Sequence, residues 1–67
     1  MDTRAKFDAI ILRLFGRPMT RVEAARRLGV ETQTVSNWRN RGLTASAEGK
    51  LARFARRAGV KIEDLLE

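Results

Sequence analysis

The stretch from Thr20 to Trp38, TRVEAARRLGVETQTVSNW, holds two short helical patterns with only Leu28-Gly29-Val30-Glu31 between them. Starting a helix is costly, and isolated helices shorter than about 12–15 residues are marginal in water. Each pattern can therefore persist only by packing on the other and on the rest of the chain. Ala24 and Ala25 are small enough to let another helix approach closely, and Gly29 allows the positive φ that a sharp turn demands. Leu28, Val30, Val35 and Trp38 then supply the apolar contacts that lock the two helices at a steep angle.

The flanking segments read as the partners this pair needs. Phe7, Ile10, Ile11, Leu14 and Phe15 recur on one face of a helix expected from about Thr3 to Phe15, with Gly16 at its C-cap and Pro18 forbidding continuation. Thr20 and Glu23 form an S/T-x-x-E capping box, so the second helix starts there and ends at Gly29. The third runs from about Thr32 to Arg39 or Asn40, with Gly42 closing it. Thr44 or Ser46 can cap a fourth, whose face is Leu51, Phe54, Ala55 and Ala58 before Gly59. Val60, Ile62, Leu65 and Leu66 suggest a short final helix. Period-two alternation with β-branched residues persists nowhere, so the expected class is all-α. The expected interior is Phe7, Ile11, Leu14, Phe15, Ala24, Ala25, Leu28, Val35, Trp38, Leu51, Phe54 and Ala55.

Composition narrows the function. At 67 residues the chain is one domain, near the lower limit for a single unaided core. It contains neither cysteine nor histidine, which removes disulfides, Cys/His metal sites, cysteine nucleophiles and imidazole bases. No enzyme activity, metal or cofactor is expected. Glu63 and Asp64 are the one adjacent carboxylate pair, and an acidic, solvated last turn accounts for them. No apolar run approaches the roughly 18 residues of a membrane span, and Met1-Asp2-Thr3-Arg4 lacks the pattern of a signal peptide. A cytoplasmic protein is the expectation.

The charge is placed unevenly. Fourteen basic residues, eleven of them arginine, oppose eight acids for a net charge of +6. No acid lies between Thr32 and Ala47, whereas Glu63, Asp64 and Glu67 crowd the C-terminus. A surface built from the middle of the chain would attract a polyanion, and the planar arginine fork suits phosphate. On a wheel at about 100° per residue, Val35 and Trp38 point inward while Gln33, Ser36, Asn37 and Asn40 point outward, with Thr32 at the N-terminal edge. These neutral hydrogen-bonding tips suit base edges in a major groove. Arg21, Arg39 and Arg41 flank them and would hold phosphates, with Lys50 beside the same acid-free segment. The arginines Arg26 and Arg27, and likewise Arg53, Arg56 and Arg57, read mainly as solvated faces.

The segment RVEAARRLGVETQTVSNWRN resembles the helix-turn-helix of the phage repressor and Cro class of bacterial transcription regulators. The likeness lies in paired small residues at Ala24 and Ala25, Leu28 before the turn glycine Gly29, and Val30, Val35 and Trp38 at the buried positions. LARFARRAGVKIEDLLE is similar to the C-terminal part of the same domain, so nearly the whole chain is covered. The resemblance implies a compact five-helix, lambda-repressor-like DNA-binding domain whose third helix enters the major groove of an inverted-repeat operator. By position it implies Thr32, Gln33, Ser36 and Asn37 as base readers and Arg21 as a phosphate contact. Glu31 departs from the pattern, standing where these proteins often place a serine or threonine N-cap. A carboxylate can cap and favours the helix dipole, but DNA repels it.

Two other classes compete. One is the DNA-targeting domain of an antitoxin or recombinase. The other is a helix-turn-helix used for protein interaction, which requires an apolar outer face on the third helix. For a regulator, one recognition helix reads too few base pairs to single out a site, so a weak homodimer that pairs on its operator is expected. Ile62, Leu65 and Leu66 are the candidate dimer patch, with capping of the core as their alternative role.

Overall fold

The computed structural model describes residues 2–66, and the described residues form five helices and no strand. The first, α1, spans Thr3–Phe15, as its apolar spacing requires. Its cap is Asp2, whose carboxylate accepts from the Ala5 amide at 2.7 Å. The second, α2, spans Arg21–Leu28 and begins with the full capping box. Thr20 Oγ1 accepts from the Glu23 amide at 3.1 Å, and the Thr20 amide donates back to Glu23 Oε1 at 3.4 Å. Arg17 extends that cap through an ion pair with Glu23 at 3.0 Å. The guanidinium's hydrogen bond, then that of the Thr20 backbone, holds the Glu23 carboxyl below its usual range.

Only Gly29, Val30 and Glu31 separate α2 from α3, which spans Thr32–Arg41. Gly29 has φ of 72°, where a Cβ would be strained. The amide of Val30 turns back to the Ala25 carbonyl at 3.0 Å, closing the C-terminus of α2. Glu31 occupies the N-cap of α3 without any side-chain cap hydrogen bond. The fourth helix, α4, spans Ala45–Ala58; Thr44, rather than Ser46, caps it by accepting from the Ala47 amide at 3.1 Å. The last, α5, spans Glu63–Leu66.

The core gathers Phe7, Ile10, Ile11 and Leu14 from α1, Ala24, Ala25 and Leu28 from α2, Val35 and Trp38 from α3, and Ala47, Leu51 and Ala55 from α4. Ile10, Ala47 and Ile62 join the expected interior. Phe15 and Phe54 are half-buried and meet edge to face, ring centroids 5.4 Å apart. The most consequential correction is Ile62, which is 1% exposed and lies inside the core, so it cannot belong to a surface dimer patch. Leu65 and Leu66 are half-buried against the same core. The reason lies in α1: Lys6 Nζ donates to the Leu66 carbonyl at 3.3 Å, and Arg13 pairs with Asp64 at 2.6 Å, drawing α5 down onto the first helix.

Candidate nucleic-acid interface

Two helices define the candidate surface, and their close approach decides which side chains reach it. Ala24 and Ala25 let α2 lie tightly on α3, while Val35 and Trp38 anchor α3 from beneath. This leaves Thr32, Gln33 and Asn37 exposed on the outer face of α3, as the helical wheel requires. Asn40 is also exposed, but its Oδ1 accepts from Arg4 Nε on α1 at 3.0 Å.

Ser36 departs from the expected arrangement. It is only 9% exposed, and its hydroxyl accepts a hydrogen bond from Arg21 Nη1 at 3.2 Å. One helical step from Val35, it falls on the flank that α2 covers, and the Arg21 side chain closes over it. In this conformation the Ser36 hydroxyl is turned to Arg21 and not to the outer face. It ties the start of α2 to the middle of α3 and steers the Arg21 guanidinium. Arg21 itself stays exposed, as a phosphate contact requires.

The cations divide into two sets. Arg39, expected as a phosphate contact, grips Asp8 of α1 with two hydrogen bonds, Nε to Oδ1 at 2.9 Å and Nη2 to Oδ2 at 3.0 Å. That hydrogen bonding holds the Asp8 carboxyl below its usual range and raises Arg39 further. Arg39 is thus largely neutralised within the fold, and its first role is to join α3 to α1. Arg41 is exposed, and Lys50 is half-buried beside Leu28, Arg53, Phe54 and Arg57. Among the described residues, Arg21, Arg41, Lys50 and the arginines of α4 have no carboxylate partner.

Sequence reasoning missed Asp8 and Arg4. Neither lies near α3 in the chain, and no local pattern signals a pairing across 31 or 36 residues. No group of His, Cys, Asp or Glu that could hold a metal ion occurs among the described residues, and no described helix is long and apolar enough to cross a membrane. No family model matches the chain, and no curated protein or solved structure matches it either.

Proposed function

We propose that the chain is a sequence-specific regulator of transcription that binds double-stranded DNA, with α2 and α3 as a helix-turn-helix of the lambda-repressor-like kind and α3 in the major groove. The observation that carries this reading is the outer face of α3. It presents a hydroxyl and two amides on a helix anchored from behind by Val35 and Trp38, flanked by Arg21 and Arg41, which have no carboxylate partner among the described residues. Amides and hydroxyls pair with base edges, and unpaired arginines pair with phosphates. A protein-docking surface would instead show apolar side chains there.

Such a regulator works in the cytoplasm and needs two copies to specify a site. The body measures 26 × 23 × 22 Å, so two copies fit side by side at the half-site spacing of about 34 Å. With Ile62 inside the core, only the half-buried Leu65 and Leu66 remain from the expected patch. Pairing is then held chiefly by the operator, and the free protein is monomeric at low concentration.

The test is a titration of random-sequence duplex at several salt concentrations. Binding should weaken steeply as salt rises, because each neutralised phosphate releases condensed counterions. Affinity that stays flat between low and physiological salt would sink the proposal. Selection of bound duplexes from a random pool should then return an inverted repeat.

A further inference from the structure

The outer face of α3 holds fewer free hydrogen-bonding groups than its sequence suggests. Ser36 is covered by Arg21, and Asn40 Oδ1 is engaged by Arg4. Gln33 and Asn37 remain exposed, and they are joined to each other: Gln33 Nε2 donates to Asn37 Oδ1 at 3.1 Å. A side-chain amide has two donor hydrogens and an acceptor oxygen with two lone pairs. The bond uses one hydrogen of Gln33 and one lone pair of Asn37. Gln33 is left with its acceptor oxygen and one donor, whereas Asn37 is left with both donors of Nδ2 and a single lone pair on the oxygen that Gln33 already engages.

The balanced set on Gln33 and the donor-rich set on Asn37 fit different bases best. In the major groove adenine offers an acceptor at N7 and a donor at N6, the complement of what Gln33 retains. Guanine offers acceptors at both N7 and O6, the complement of the Asn37 amino group. Residues four apart rise about 6 Å along a helix, against a step of about 3.4 Å between base pairs.

Resting on the DNA-binding reading above, we infer that Gln33 and Asn37 act as one coupled reader of an adenine and a guanine lying within two base-pair steps. Asn37 therefore reads its own base and also positions Gln33. Without the Asn37 oxygen, the Gln33 amide turns freely and presents oxygen or nitrogen to the groove alike. The loss of one partner then blurs two base positions.

The experiment is selection from a random duplex pool with the wild-type chain, Asn37→Ala and Asn37→Asp, after melting each to check that it folds. The wild type should enrich adenine and guanine within two steps. Asn37→Ala should lose guanine and also weaken the adenine preference, by roughly tenfold. Asn37→Asp keeps an acceptor for Gln33 but replaces the donors, so adenine should persist while cytosine, with its N4 donor, replaces guanine. An undiminished adenine preference in Asn37→Ala, or a wild-type motif lacking this pair, overturns the coupled reader and leaves DNA binding standing. A wild-type pool without any motif removes the DNA-binding reading, and this inference falls with it.

Discussion

The two faces of α3 are built on opposite terms. The inner face, Val35 and Trp38, is closed by α1 and α2 and has no polar group to satisfy except the Trp38 indole. The outer face, Thr32, Gln33 and Asn37, is exposed and polar, and its one internal hydrogen bond joins two of its own members. A solvated helix face in a small domain is ordinarily rich in charge, because charge maintains solubility. The exposed face of α4 follows that rule with Arg53, Arg56 and Arg57. That of α3 places neutral amides between cations. Under the proposed function the contrast separates two tasks: α4 would contribute a general attraction for polyanions, whereas α3 would tell one sequence from another.

The inner face is broken most severely by Trp38→Ala. Removing a buried indole from a chain of 67 residues should cost about 3 to 5 kcal/mol, comparable with the whole stability of so small a domain. Helical circular dichroism at room temperature should collapse. A variant that keeps its melting transition would show that the α2–α3 pair does not depend on this anchor.

A step smaller is Thr20→Ala, which acts on the helix against which that inner face rests. It deletes the hydroxyl that accepts from the Glu23 amide and should destabilise the chain by about 1 kcal/mol. Glu23 would also lose part of what holds its carboxyl ionised. Thermal melts at neutral pH read the difference. An unchanged midpoint would mean that Arg17 and Glu23 hold the start of α2 without the threonine.

On the outer face, Arg21→Ala should leave the fold intact and weaken binding to all duplexes several-fold, alike for chosen and scrambled sites. The slope of binding against salt should fall by about one. Loss of discrimination between sites, with little change in slope, would show Arg21 reading a base instead of holding a phosphate.

Much of this architecture was legible because its determinants are local. The threonine and glutamate of the capping box lie three residues apart, and Gly16, Gly29 and Gly59 each take the left-handed conformation at the end of a helix that the apolar spacing had outlined. The bounds of α1 follow from its apolar spacing for the same reason. What escaped was long-range or a matter of degree. Ile62 reads as a surface patch because the contacts that seat its segment, from Arg13 to Lys61 and Asp64 and from Lys6 to Leu66, span 48 to 60 residues, and nothing near it in the chain shows that α5 folds back. Ser36 lies on the boundary of a wheel, where the closeness of α2, not the angle, decides between exposure and burial. Asp8 is polar on the polar side of α1, and its pairing with Arg39 has no signature in either neighbourhood.

The smallest expected effect belongs to Asp8, and it tests where the inner framework ends and the outer face begins. Arg39 follows Trp38 directly and could serve either side. In the structure its guanidinium is turned to α1 by the two hydrogen bonds it donates to Asp8. Both side chains remain partly exposed, so solvent screens the pair and Asp8→Asn should cost at most about 0.5 kcal/mol. The folded-state pKa of Asp8 is depressed, so its contribution is present above the unfolded value of about 3.9 and fades as pH falls through the folded one. Melting midpoints of wild type and Asp8→Asn should accordingly differ slightly at neutral pH and converge in acid. The same substitution removes a negative charge from beside the proposed interface and releases Arg39 to reach a phosphate. Binding to random duplex should therefore tighten, with a salt slope steeper by about one. Unchanged binding would place Arg39 wholly with the inner framework, and the phosphate contacts would then rest on Arg21, Arg41 and Lys50.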